Sequence, residues 1–377
     1  MTIGIAGANL PALRSHNDAV VLDLMRTSSA IDEGGFSRVE IAARTGLTPQ
    51  AVSKILGRLR EEGVVEEAGR GASTGGKPRT LMRLVRGARY AVGVHIDRDE
   101  LTVLLADLAD PPGMPTVART VAFNLGAHPE AALARVIEEA RATMLGVEGL
   151  VLGVGVACPG PLDHKAGVLH RVTHHAEWDG FPLRDVLAQR LGLPVVLDKD
   201  TNAAVLAVLG DVRSANCAYL HLGTGLGAGL VLDGTLYRGS RSGAGEFGHQ
   251  VVQLDGPVCA CGSRGCLEAL CLAALGARDV VGAAHLLGIG AANLLRLLDI
   301  DRVVLGGRAV LAEPERYVRE VGAVLSERLQ DPARDTVPVT LVPGGARAVA
   351  DGAAELVLAP ATRTSLPGRV GSSPPTA

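Results

Sequence analysis

A helical period of apolar residues opens the chain, and past Arg89 it gives way to alternating strand-like and helix-like runs. From Asn17, the stretch NDAVVLDLMRT puts Val20, Val21, Leu24 and Met25 on one face, which predicts an amphipathic helix. Next comes SRVEIAARTGLTPQAVSKILGRLREEGVVEEAG, two short helical segments around a glycine turn. Ser37 can cap the first segment, and Glu40 three residues on completes a capping box, with Ile41 and Ala42 facing inward. Thr48 caps the second segment, and Pro49 takes its first position, where a missing N–H costs nothing. Val52, Ile55, Leu56 and Leu59 form the buried stripe of that second helix. VVEEAGRGASTGGKPRTLMRLV then alternates and turns as a β-hairpin with a glycine-rich tip.

The exposed face of the second helix holds Gln50, Ser53, Lys54 and Arg58. An amide and a hydroxyl near a helix N-terminus suit base edges, and cations farther along suit phosphates, so this is the residue mix of a major-groove reader. The hairpin tip bears Arg70, Lys77 and Arg79 and reads as a wing that reaches the DNA backbone or a minor groove. Charge agrees. Residues 1–89 hold 13 Lys and Arg against 9 Asp and Glu, although the whole chain has net charge -3.

In the body, YAVGVHI and ELTVLLADL read as strands joined by a turn, and PEAALARVIEEARATML as a helix. VLGVGVACPGPLD is a buried strand running into a Pro-Gly turn, and PLRDVLAQRLG is a helix. PVVLDKDTNAAVLAVLG is a strand feeding a helix, and CAYLHLGTGLGAGLVLDGTLYRG is two strands around a glycine-rich turn. DRVVLGGRAVLAE is a further buried strand that stops at two glycines. The sum is an α/β body of two lobes with a cleft between them. GTGLGAG, Gly223 to Gly229, either lets the backbone approach a ligand or makes a tight hairpin; lying between strands, it does not meet the Rossmann fingerprint. Asp200, where a strand ends ahead of a helix, either takes a proton from a sugar hydroxyl attacking a phosphate or caps the helix.

The 377 residues are 47% hydrophobic but only 2% aromatic, with 48 glycines and 20 prolines, so the cores are built from Ala, Val and Leu with many tight turns. No apolar run is expected to approach the roughly 20 residues of a membrane helix, and Met1 to Ala12 lacks a secretory pattern, so the expectation is a cytoplasmic protein with no membrane contact. In a reducing compartment clustered cysteines favour metal over disulfides. GHQVVQLDGPVCACGSRGCLEAL sets one histidine and three of the six cysteines in a single stretch. Cys158, Cys217 and Cys271 read as small core residues.

Together these segments resemble the ROK family of sugar-responsive repressors, open reading frames and sugar kinases, from about Asn17 to Pro360. GAGEFGHQVVQLDGPVCACGSRGCLEAL is similar to the family signature Glu-x-Gly-His followed by Cys-x-Cys-Gly-x-x-Gly-Cys-x-Glu. The resemblance implies that His249, Cys259, Cys261 and Cys266 bind a structural zinc ion, closed and tetrahedral, with no open position for catalysis. It also implies that Glu246, His249 and Glu268 face a sugar, His249 using one ring nitrogen for metal and the other for sugar or an outer contact. PVVLDKDTNAA is similar to the family strand ending in Asn-Asp, so Asp200 matches the catalytic base, while Lys199 stands where asparagine is usual. A lysine there attracts a phosphorylated or acidic sugar, or fills the site.

Two departures bear on catalysis. Family kinases begin the body with Asp-x-Gly-Gly-Thr, a phosphate-wrapping turn, whereas this chain has HIDRDELTVLLADL, whose Asp97, Asp99 and Glu100 would repel triphosphate around Arg98. The chain is also shorter than those kinases between CLEAL and GIGAANLLRLLDIDRVVLGG. Kinase activity is therefore expected to be lost. The resemblance implies a winged helix-turn-helix over 1–87, then an actin-like, ribonuclease H-like body with lobes at 88–212 and 213–360; a disordered tail is expected at 361–377. The expected function is a DNA-binding regulator, a repressor, sensing a sugar or sugar derivative as a homodimer or homotetramer on an inverted-repeat operator. The alternative is a sugar kinase with an appended DNA-binding domain.

Overall fold

The computed structural model describes residues 10–27, 34–70, 79–126, 128–170, 176–209, 216–329 and 337–358. Lys77 and the expected disordered tail lie outside them.

The front of the chain runs α1 (Leu10–Thr27), β1 (Phe36–Ser37), α2 (Arg38–Thr45), α3 (Pro49–Glu61), β2 (Val65–Arg70) and β3 (Thr80–Leu84). Helix α1 begins ahead of the Asn17 that apolar spacing marks. The capping box forms: Ser37 N–H donates to Glu40 Oε2 at 2.8 Å, and Glu40 N–H donates to Ser37 Oγ at 3.3 Å. Gly46, at φ 74°, ends α2 in the left-handed region. Thr48 Oγ1 accepts the Ala51 N–H at 3.2 Å and starts α3. Strand β3 pairs with both β1 and β2, completing a winged helix. Its core is Val21, Met25, Ile41, Val52, Ile55, Leu56 and Met82, closed from the body side by Leu108 and Ala109.

The first lobe contains β4 (Arg89–Ile96), β5 (Glu100–Asp107), β6 (Val117–Ala122), α4 (Pro129–Met144), β7 (Leu150–Cys158), a short hairpin β8 (Leu162–Asp163) and β9 (Val168–Leu169), α5 (Leu183–Leu191), β10 (Val195–Lys199) and α6 (Asp200–Leu209). The second contains β11 (Cys217–Leu222), β12 (Leu226–Leu232), β13 (Thr235–Leu236), α7 (Leu267–Gly276), α8 (Val280–Leu298), β14 (Arg302–Gly306), α9 (Arg308–Ala312), α10 (Pro314–Arg328), β15 (Val339–Leu341) and α11 (Ala348–Leu358). The sheets, β6-β5-β4-β7-β10 and β13-β12-β11-β14-β15, share one topology: an antiparallel meander whose first strand also pairs in parallel with a later one. A hairpin turn of each sheet, at Asp97–Asp99 and Gly223–Gly225, borders the cleft.

Period-two burial sorts the strands into layers. Val92 and Val94 of β4 face α4 and α5, whereas Ala91 faces α11. Leu220 and Leu222 of β11 face α7, α8 and α10, whereas Cys217 and Tyr219 face the side of α6 and α11. The middle layer is exchanged: α6 leaves the first sheet and packs on β12 of the second, and α11 leaves the second and packs on β4 and β7 of the first. Glycine makes this possible. A Cβ on Gly155 would stand 1.7 Å from Ala353 O, on Gly93 2.1 Å from Ala350 O, and on Gly352 1.7 Å from Ala203 O.

Helix α8, 19 residues, is long and apolar enough to cross a membrane by length and composition, although His285, Asn293 and Arg296 interrupt it. Its Ala283, Ala284, Leu287, Ala291 and Leu295 are buried in the second-lobe core, so its apolar character is accounted for by packing.

Gly155→Ala forces backbone apart at α11 and is expected to lower unfolding free energy by about 1–3 kcal/mol or more. Urea denaturation of the full chain measures this, and wild-type stability would contradict the packing.

Candidate functional site

Strand β10 delivers Lys199 and Asp200 into a cavity of about 720 Å³ at the mouth of the cleft, lined also by Asp97, Thr201, His221, Glu246, His249 and Glu268. Lys199, Asp200, Glu246, His249 and Glu268, named from sequence, thus meet in one place. Lys199 is buried, and its Nζ donates to Ala244 O at 2.7 Å and to Glu246 Oε1 at 3.2 Å. Glu268 Oε2 accepts the Leu226 N–H at 2.7 Å, and a Cβ on Gly225 would stand 3.0 Å from that oxygen, so the glycine turn fits closely around this carboxylate. Burial pushes the Asp200 carboxyl above the ordinary carboxylate range, opposed by His221 and Lys199. Its Oδ1 accepts the Thr201 N–H at 2.6 Å, at the first residue of α6.

Sequence reasoning missed two cavity residues. Thr201 lines the cavity, and its Oγ1 is buried with no hydrogen-bond partner among the described residues. His221 bonds Tyr219 Oη through Nδ1 at 2.8 Å. The available signal was a histidine inside the apolar strand CAYLHL, immediately before the glycine turn.

His249, Cys259, Cys261 and Cys266 bring their ligand atoms within 4.8 Å of one another. Cys259 Sγ lies 3.6 Å from His249 Nδ1, and Cys261 Sγ lies 3.7 Å from Cys266 Sγ. Metal–sulfur bonds of about 2.3 Å and metal–nitrogen bonds of about 2.0 Å give a tetrahedron with edges of about 3.5–3.8 Å, so the donors fit a closed N/S site. The loop is folded to this shape by backbone: Gly265, at φ 68°, donates to Pro257 O at 2.9 Å, and a Cβ there would stand 1.5 Å from Gln253 O. His249 Nε2 lies 4.0 Å from Glu246 Oε2, so the ring presents one nitrogen to the sulfurs and the other to the cavity carboxylate. Cys266 is the N-cap of α7, and Glu268 stands in its first turn, which ties the cluster to the cavity through one helix end.

The acidic turn is not arranged as its sequence implies. Asp97 and Asp99 have a cation that the sequence did not reveal: Arg308 of α9 reaches across the cleft and donates to Asp97 Oδ2 at 2.9 Å and to Asp99 Oδ1 and Oδ2 at 2.6 and 2.8 Å. The Arg308 guanidinium holds Asp99 below the ordinary carboxylate range. Behind this pair, burial pushes His95 down to about 4.

On the front domain Gln50, Ser53 and Lys54 are exposed on one face of α3, and Arg70 and Arg79 are exposed where β2 ends and β3 begins. Arg58 is half-buried and pairs with Asp18 of α1.

Residues 124–279 match the ROK family model, and residues 19–74 match the Crp-like helix-turn-helix domain. The chain is 25% identical over 356 residues to the xylose repressor of Caldicellulosiruptor bescii, covering 81% of this chain and 87% of that protein. It is similar to the crystal structure of a ROK hexokinase from Thermus thermophilus, at 29% identity and TM-score 0.59, over 70% of this chain and 96% of that one. The fold also matches that of a ROK family transcriptional regulator, homolog of the E. coli MLC protein, at 20% identity and TM-score 0.70, over 93% of this chain and 100% of that one.

Arg308→Ala is expected to lower stability by about 0.5–1 kcal/mol at low salt, because its partners are partly exposed, and the difference should shrink at high salt. Denaturation at two ionic strengths measures it. A salt-independent loss would show that Arg308 acts through packing instead.

Proposed function

We infer that this chain, which carries a ROK family domain behind a Crp-like helix-turn-helix domain, is a DNA-binding transcriptional repressor whose body senses a sugar. The observation that carries the reading is the pairing, in one chain, of a capped α3 exposing Gln50, Ser53 and Lys54 with a cavity holding Glu246, His249, Glu268 and Asp200. The helix supplies base-edge and phosphate contacts, joined by Arg70, Lys77 and Arg79 of the wing and by Arg58 where its pair with Asp18 opens. Carboxylates in a half-closed cavity accept hydrogen bonds from vicinal hydroxyls, which fits a sugar or sugar derivative. The xylose repressor relative supports the same class of effector. Lys199, neutralised by Glu246, favours a neutral sugar over an acidic one.

The cysteine and histidine cluster is read as a structural zinc site with His249, Cys259, Cys261 and Cys266 as ligands. Bound there, the ion supplies folding energy and no open coordination position. Cys266 and His249 would then hold Glu268 and Glu246 in place around the sugar. Two copies of the chain on an inverted repeat, as a homodimer or homotetramer in the cytoplasm, complete the reading.

Loss of kinase activity is supported by the Arg308 fork. It joins the lobes at the turn where family kinases wrap phosphate, so a triphosphate would have to displace three charge-assisted hydrogen bonds. The second reading, a sugar kinase with an appended DNA-binding domain, is favoured by Asp200 standing in the cavity beside the Gly223–Gly229 turn. Sugar-dependent ATP turnover exceeding that of Asp200→Ala would establish it. We expect none.

In salt titrations against duplex DNA selected from a random pool, Lys54→Ala is expected to weaken binding evenly across sequences and lower the salt slope by about 1, whereas Gln50→Ala changes sequence preference. Unchanged selection by Gln50→Ala would remove α3 from the interface. A thermal-shift screen of neutral sugars, amino sugars and sugar phosphates identifies the effector. A shift confined to phosphorylated sugars would contradict the role given to Lys199.

A further inference from the structure

Beside the apolar contact of Leu108 and Ala109 with its core, the winged helix is tied to the body by a buried fork. Arg26, in the last turn of α1, and Glu355, on α11, are each only 3% exposed. Arg26 Nη2 donates to Glu355 Oε1 at 2.7 Å, Nη1 pairs with Oε2, and Nε donates to Asp110 O at 3.2 Å. A planar guanidinium on a planar carboxylate fixes direction as well as distance. Pulling the two apart strands a charge away from water, so small displacements are resisted and the contact is either made or broken. Alongside it the boundary is not packed shut. A cavity of about 920 Å³ lies there, between Met25, Phe36 and Leu84 of the winged helix and Pro111, Met114 and Arg347 of the body.

Both sides of the fork lead to functional surfaces. Asp18, on the same helix as Arg26 and about 12 Å along its axis, pairs with Arg58 of α3. On the body side, Gly352 of α11 lies against Ala203 O of α6, the helix that begins at Asp200 in the cavity.

We propose that the Arg26–Glu355 pair is the joint that sets the recognition helix α3 relative to the body, so that Arg26 and Glu355 are positioning residues for DNA binding. The proposal rests on the DNA-binding reading above. Neither residue touches DNA. Each acts by holding α1, and with it α3, at the angle that lets two copies of the chain engage two half-sites together. A shift of α6 on sugar binding would reach α3 through α11 and this fork, because the elements between are in contact along the whole way.

The test uses the full chain and two duplexes: an inverted repeat selected from random DNA by the wild type, and a duplex carrying one half of it. Glu355→Gln is expected to weaken binding to the inverted repeat at least tenfold while binding to the half-site stays within twofold of wild type. Removing both charges, with Arg26→Met and Glu355→Leu, avoids an orphaned buried cation; the folded variant is expected to show the same selective loss, because apolar contact fixes no angle. Equal losses on both duplexes would mean that the pair merely keeps the winged helix folded, and this would overturn the proposal. So would wild-type binding to both duplexes by the folded double variant. If the wild type selects no duplex, or gains nothing from the second half-site, the DNA-binding reading fails first and the proposal falls with it.

Discussion

Helices α6 and α11 are exchanged between the two sheets and touch them backbone to backbone, and the other features of the body depend on that contact. Gly93 and Gly155 meet α11, Gly229 meets α6, and Gly352 sets the two helices against each other, each where a single methyl group would enter a carbonyl oxygen. Around these contacts the layer is filled by Ala203, Ala204, Val205, Ala348, Val349 and Ala353, with Tyr219 as its one large aromatic residue among the described residues. Because each helix belongs by sequence to one lobe and by packing to the other, neither lobe moves without carrying part of its neighbour's wall. The same layer fixes both ends of the functional apparatus: Asp200 at the start of α6 and Glu355 near the end of α11.

The repeated sheet topology gives the cleft its chemistry. Corresponding hairpin turns border it from both lobes, one rich in glycine at Gly223–Gly229 and one rich in carboxylates at Asp97–Asp99. In a phosphoryl-transfer enzyme both turns would approach phosphate. In this chain Arg308 joins the acidic turn to the opposite lobe by an ion pair, while both turns still line the cavity that holds Asp200, Glu246 and Glu268. A cleft bounded by two lobes can couple the binding of a small molecule to the placement of the lobes, to the extent that the molecule binds one arrangement more tightly.

What the sequence made legible is what lies close together along it. Ser37 with Glu40 and Thr48 with Pro49 are short-range patterns whose physical reasons operate within one turn, and both caps form as read, while His249, Cys259, Cys261 and Cys266, close in sequence, bring their ligand atoms within 4.8 Å of one another. The alternating periods mark the strands, whereas their order in each sheet is set by pairing between segments distant in sequence. The contacts that decide how the parts communicate are far apart in sequence: Arg308 with Asp97 is separated by 211 positions and Arg26 with Glu355 by 329. An arginine or a glutamate in an amphipathic helix carries no mark of its distant partner, so Asp97 and Asp99 read as free charges until the fold supplied their cation. Thr201 was hidden in the same way, whereas His221 carried a local signal, a histidine within the apolar strand CAYLHL.

The account makes one protein out of two binding surfaces, and linkage requires that they influence each other equally. The direct measurement is the affinity of the full chain for its selected inverted repeat, titrated with and without the sugar that raises its melting temperature, together with sugar affinity measured free and DNA-bound. The account predicts that sugar weakens DNA binding and that DNA weakens sugar binding by the same factor. Sugar affinity identical in the free and DNA-bound protein would contradict it.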